Sequence, residues 1–424
     1  MAETSVQATA PAKKKVWSMV GRDPWTMPIE EIDLAHPGIW QANQHLPFLA
    51  RLRKEDPVHY CAVSAVGPYW SVTRYADIMK VDTSHDIYSS EPTIGIVDTD
   101  EANTFPMFIA MDPPRHDAQR KVVQGVVAPM NLKKLEGLIR QRVGTILDGL
   151  PVGMPFNWVE RVSIELTTQM LATLFDFPFE ERSKLTRWSD AFTAIPGKGI
   201  VDSHEEREEL IQECLAYFTR LWNERVNGEP GSDLISMLAH GEATRNMSPM
   251  EYLGNVALLI VGGNDTTRNS ISGGVLALNE NPDEYRKLRE NPALIPNMVS
   301  EIIRWQTPLA HMRRTAKVDT VLGGKTIRAG DKVVMWYASG NRDEEAFDRP
   351  DAFLIDRPDV RKHLSFGFGL HRCMGNRLAE MQLRILWEEI QQRFHEIEVV
   401  GAPVRVFSSF VRGYSELPVV VHPL

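Results

Sequence analysis

Cys373 is the residue whose setting most constrains the chemistry of this chain. It closes the stretch Ser365-Phe366-Gly367-Phe368-Gly369-Leu370-His371-Arg372-Cys373-Met374-Gly375. Directly after it, Leu378, Met381, Ile385, Leu386, Ile390 and Phe394 recur at helical spacing, predicting a helix over Asn376 to Phe394. The thiol is thereby placed at a helix N-terminus, where backbone N–H groups and the positive end of the helix dipole favour a thiolate. A thiolate held in this way can ligate iron. Glycines 367, 369 and 375 let the backbone fold closely around a flat group and aim N–H donors at the sulfur with no Cβ in the way. A lone cysteine is more often a small buried hydrophobe, and Cys373 taken alone would be read that way. Without a CxxC pair or an HxxxH, a zinc site is disfavoured.

Two further constellations accompany it. Ser248-Pro249-Met250-Glu251 is a capping box with proline at the first helical position, and the helix it starts can run to about Asn279, roughly 45 Å. Inside it lies Gly262-Gly263-Asn264-Asp265-Thr266-Thr267. Each interior glycine costs about 1 kcal/mol against alanine, and close approach by a flat ring is one reason to accept that. The Thr266 hydroxyl can reach the carbonyl of Gly262 and locally open the helix. Earlier, Asp112-Pro113-Pro114-Arg115-His116 begins another helix, with His116 and Arg120 on one face.

Phe366, Gly367, Gly369, His371, Cys373 and Gly375 together resemble the haem-thiolate loop of the cytochrome P-450 superfamily, in which cysteine ligation favours cleavage of the O–O bond. The resemblance runs from about Trp25 to the C-terminus. It implies a mainly α fold with a small β region, a haem b between the long central helix and the cysteine loop, and Cys373 as iron ligand. His116, Arg120, His371 and an arginine of the Arg313-Arg314 pair, with Arg314 in the register of the family, would hold the propionates. Phe366, Gly367 and Gly375 would pack around the macrocycle. Asp265 and Thr266 match the superfamily's acid–alcohol pair, which feeds protons to oxygen during its activation. Glu301 and Arg304 match a structural ExxR pair. The arginine that usually joins that pair is missing at Ala352, and Arg357 is the candidate replacement.

The elements that must position these residues are legible in outline. Residues 1–20 read as a disordered tail and 21–424 as one domain. A helix is predicted near Pro47 to Lys54, then strands Pro57 to Tyr60 and Tyr69 to Val72. Residues 85–110 resolve into no period, and an apolar loop of that length is more often functional than idle. From Leu132 to Gly241 the pattern is largely helical. There Ile195-Pro196-Gly197-Lys198-Gly199 separates two amphipathic helices, at about 180–194 and 203–226, as a candidate lid. Gly323-Gly324 marks a hairpin.

Composition sets the limits. A hydrophobic share of 43%, a charged share of 24% and a net charge of −9 describe a globular protein with no bias toward nucleic acid. Three widely spaced cysteines argue against a disulfide framework and for a reducing compartment, taken as the cytoplasm. No apolar run is long enough to span a bilayer. No dinucleotide-binding fingerprint follows a strand, so electrons are expected from a ferredoxin and its NADH-dependent reductase, docking near Lys121, Arg361, Lys362, Arg372 and Arg377.

The segments Leu259 to Ser270, Leu309 to Ala316 and the cysteine loop look close to the bacterial alkane hydroxylase branch of the superfamily. That implies a monooxygenase acting on the terminal (omega) carbon of medium-chain linear alkanes or fatty acids. The expected pocket is apolar, lined by Ile94, Val97, Leu258, Val261, Gly262, Leu309, Met312 and Phe410. A bulkier apolar substrate such as a terpenoid or sterol, a peroxygenase, and a haem-binding protein without turnover remain as alternatives.

Overall fold

The computed structural model describes residues 18–98 and 105–424. Most of the proposed tail, with its Lys13 to Lys15 cluster, lies outside the described residues. Met19, within that expected tail, is fully buried among Ile32, Leu34 and Trp336.

The central helix runs Pro249–Glu280, with the Ser248 side chain accepting from the Glu251 N–H at 3.2 Å and Pro249 in the first turn. From Asn264 to Leu278 nearly every residue is buried, because other helices cover it on all sides. Its two mid-helix glycines serve different ends. A Cβ on Gly263 would stand 2.7 Å from Leu171 Cδ2, so this glycine admits a neighbouring helix; a Cβ on Gly262 would meet nothing within 4 Å. Only Gly262 keeps open space for a flat ring, which corrects the shared reason expected for the pair.

Against the central helix lie the helix Glu165–Phe175, the helices Ser183–Thr193 and His204–Val226 that flank the candidate lid loop and take the label lid helices from that position alone, and the lock helix Ile295–Gln306. The expected loop between the lid helices is present. Gly197 has φ +75°, and Lys198 Nζ stands 5.1 Å from the centre of the Phe407 ring. The helix after Cys373 runs Asn376–Gln391, shorter than the pattern implied, since Phe394 opens the strand Phe394–Val399. An apolar residue at the end of a helical period can equally be the first inward residue of a strand.

The β region is a five-stranded sheet and smaller ribbons. The two expected strands form as Val58–Cys61 and Tyr69–Val72, and they pair antiparallel. Lys332–Met335 adds parallel to Tyr69–Val72 and antiparallel to Met312–Ala316, two pairings between distant segments that no local signal announces. In the hairpin Thr320–Leu322 with Lys325–Ile327, Gly323 and Gly324 take φ +55° and +75°, as a tight two-residue turn requires. No helix among the described residues is long and apolar enough to cross a membrane.

Candidate active site

Between the central helix, the lid helices and the cysteine loop lies a cavity of about 380 Å³. It brings together most of the residues that the sequence singled out: Ile94, Arg120, Leu258, Val261, Gly262, Thr266, Leu309, Met312, Arg314, Phe366, Gly367, His371, Cys373, Gly375 and Phe410. Val97 is a correction. It is 57% exposed, turned to solvent where the next residue, Asp98, pairs with Arg313 and Lys332. Alternation along an irregular segment cannot be read from hydrophobicity alone.

On the cysteine side the loop is closed by the Cys373 N–H donating to the Phe366 carbonyl at 2.8 Å. Gly369 adopts φ +62°, and a Cβ there would lie 2.6 Å from the Asp82 carbonyl oxygen, so glycine is obligatory on both counts. Gly375 has an ordinary φ of −86° and leaves room beside the sulfur, where a Cβ would sit 3.9 Å from Sγ. The accessible surface of Cys373 opens into the cavity. Burial pushes its thiol up, while the N–H groups of Gly375 and Asn376 and the guanidiniums of Arg120 and Arg372 pull it back. The helix terminus acts in the expected direction, but burial outweighs it.

Beside the cysteine stands a cationic cradle. His116 and His371 meet edge to face with ring centroids 4.3 Å apart, and His116 Nε2 and His371 Nδ1 are buried without a hydrogen-bond partner. Arg120 donates to the Arg372 carbonyl. Arg314 Nη2 donates to Asp82 Oδ1 at 2.8 Å. Burial, together with Arg314, His116 and Arg120, lowers the His371 pKa to about 2. Arg313 points the other way, to Asp98 at 2.7 Å, so strand alternation assigns Arg314 to the cavity. Buried unpartnered nitrogens beside two guanidiniums form a donor set awaiting anions. With an open thiol and the bare face of Gly262, the residues fit a haem, and this cradle is the set that would hold its propionates.

Asp82 carries no sequence signal, yet it organises this side. It is buried, and its carboxylate also accepts from Tyr337 Oη at 2.9 Å and from the Phe368 N–H at 2.8 Å. It thus ties the cysteine loop to the strand bearing Arg314. The missed lining residues Thr193, Arg207 and Tyr337 likewise come from segments whose contact with the site is purely tertiary.

Across the cavity, Thr266 Oγ1 donates to the Gly262 carbonyl at 2.8 Å, and the helix continues through this point without interruption. Asp265 is fully buried and faces the lid helix instead of the cavity. It meets Arg268 Nη2 at 2.8 Å and accepts from Thr193 Oγ1 at 3.1 Å. Arg268 also binds Asp190, likewise at 2.8 Å. Burial pushes the Asp265 carboxyl up; Arg268 opposes this, and Asp190, which shares that guanidinium, adds to it. Arg268 links this carboxyl to Asp190, which is partly exposed. Thr193, which lines the cavity, gives Asp265 its direct hydroxyl contact there.

Glu301 and Arg304 lie outside the cavity, fully buried in a bidentate pair at 2.7 Å. Arg357 Nε completes the lock at 3.0 Å from Glu301 Oε2, in the role expected of it in the absence of an arginine at position 352. Among the described residues no three His, Cys, Asp or Glu side chains converge on one point, so a zinc centre has no ligand set here.

A family model described as Cytochrome P450 matches residues 152–403. The solved structure of cytochrome P450-153 from Novosphingobium aromaticivorans is similar, with a TM-score of 0.86 and 44% identity, covering 94% of this chain and 100% of that one. Linalool 8-monooxygenase of Pseudomonas putida is 35% identical over 93% of this chain and 100% of its own length. A methyl-branched lipid omega-hydroxylase of Mycobacterium tuberculosis is 31% identical over 94% and 96%.

Proposed function

The chain belongs to the cytochrome P450 family and is a haem-dependent monooxygenase, and from that premise we propose that it hydroxylates the terminal carbon of medium-chain linear alkanes or fatty acids. The observation that carries this reading is the lining of the cavity. Leu258 and Val261 from the central helix, with Leu309, Met312 and Phe410, present aliphatic and aromatic surface, and no aspartate or glutamate reaches it. The methyl-branched lipid omega-hydroxylase relative supports the same reading.

When bound, haem b supplies an iron whose thiolate ligand favours O–O cleavage, so that one oxygen atom of O2 enters a C–H bond. Cys373 would provide the thiolate, and the cradle of His116, Arg120, Arg314 and His371 would hold the propionates. Thr266 holds a hydroxyl beside the cavity and Asp265 moves protons inward from the Arg268–Asp190 side. A primary C–H bond is stronger than a secondary one, so terminal oxidation requires side chains that keep the adjoining methylene away from the reacting position. Leu258 and Val261 are placed to do this.

Electrons come from a partner protein. Lys121, Arg361, Lys362, Arg372 and Arg377 are exposed, and among the described residues none of the five forms an ion pair; Glu380 lies among three of them without closing one. An acidic ferredoxin served by an NADH-dependent reductase matches that face.

The test is product analysis with purified holoenzyme, a surrogate ferredoxin and reductase, NADH, and a linear alkane beside the fatty acid of equal length. A 1-alkanol or ω-hydroxy acid is expected, and subterminal alcohols would overturn the terminal assignment. The linalool-oxidising relative favours a second reading, a compact branched apolar substrate. Turnover of linalool with neither linear compound oxidised would select it.

A further inference from the structure

The cavity lining contains three arginines and no carboxylate. Two of the three, Arg120 and Arg314, belong to the cradle beside Cys373, and each is held there by a protein acceptor. The third, Arg207, stands apart from them in the first turn of the lid helix His204–Val226. Its Nε donates to the Ala191 carbonyl at 2.8 Å, which pins the guanidinium against the end of the other lid helix. Among the described residues it forms no ion pair, although four glutamates share its stretch of helix. Glu206 accepts from the Asp202 N–H and Glu208 from Gln212 Nε2, while Glu205 and Glu209 are exposed.

An arginine carries five N–H donors in a planar fork matched to a carboxylate. Arg207 commits one of them to a backbone oxygen and lines a cavity whose surface is mostly apolar. It is half-buried, so water cannot fully solvate it, and burial lowers its pKa, an effect that the nearby Glu208 opposes without reversing. A cation in the first turn also opposes the helix dipole. This placement is unfavourable for an idle surface residue and suited to one that waits for an anion.

Resting on the terminal-hydroxylation reading, we propose that Arg207 binds the carboxylate head of a fatty acid whose methyl end reaches the Cys373 and Thr266 side of the cavity, so that fatty acids are preferred over alkanes. Such an anchor fixes the chain at one end and sets which carbon is presented at the other. It makes Arg207 a binding residue for substrate charge, remote from the haem cradle.

The experiment is calorimetric titration of the haem-loaded enzyme with dodecanoic acid, methyl dodecanoate and dodecane. The wild type should bind the acid about ten- to thirtyfold more tightly than the ester. Arg207→Gln should abolish that preference and leave ester and alkane affinities unchanged; Arg207→Lys should restore part of it. Equal weakening of all three ligands, or no change in any, overturns the proposal. So does a wild type that shows no preference for the acid over the ester, a result that needs no variant to fold. Product position is read separately. Terminal oxidation without acid preference removes the anchor and leaves the terminal reading intact, while an Arg207-dependent acid preference with subterminal products does the reverse.

Discussion

On the side of the cavity that carries Cys373, polar groups are tied to one another across distant parts of the chain. Asp82 alone joins a strand arginine, Tyr337 and the backbone of the cysteine loop. On the opposite side, Leu258, Val261, Leu309 and Phe410 are held by packing, with Asp265 turned away into the lid. The difference follows from what each side must do. A charged prosthetic group needs donors fixed in place before it binds, because an unpaired buried charge costs several kcal/mol. An apolar substrate needs only shape, and shape can be altered one side chain at a time. The cysteine side should therefore fail as a unit, and the far side should change its product before its stability.

The largest effect expected is at Asp82. Asp82→Ala leaves the buried Arg314 guanidinium without its carboxylate and frees the loop at Phe368, at a cost of about 3–5 kcal/mol. Denaturant unfolding of the purified holoenzyme and its haem-to-protein ratio should both fall. Unchanged values for both would mean that the cysteine side is not the interlocked unit described.

Thr266→Ala comes next. It deletes a hydroxyl from the cavity and leaves the cradle intact, so haem content should be unaffected. Product formed per NADH consumed should drop by about tenfold to a hundredfold, with the missing reducing equivalents recovered as peroxide. Full coupling in this variant would remove Thr266 from proton delivery and turn attention to Thr193, the hydroxyl that touches Asp265.

The smallest expected effect sharpens the contrast most. Leu258→Ala or Val261→Ala should move the ratio of terminal to internal alcohol by about tenfold while haem content stays at the wild-type level. Chromatography of the products decides it. An unchanged ratio would show that the far side does not govern position.

The sequence by itself determined the elements whose rules are local. The capping box at Ser248 announced the start of the central helix, the paired glycines at 323 and 324 announced their hairpin, and the fixed spacing around Cys373 announced a thiolate loop before a helix. In each case the residue types act on neighbours a few positions away. It also offered Arg314 for the cradle with Arg313 as an adjacent rival, and Arg357 for the lock without showing its reach. Strand alternation and a 3.0 Å contact with Glu301 settled these. Only the tertiary structure decided the places of Asp82, Thr193 and Arg207, the outward turn of Asp265, and the loss of Val97 to solvent. Their places depend on which distant segments meet, and an isolated aspartate or arginine has the same local preferences whether it ends beside a cavity or in water.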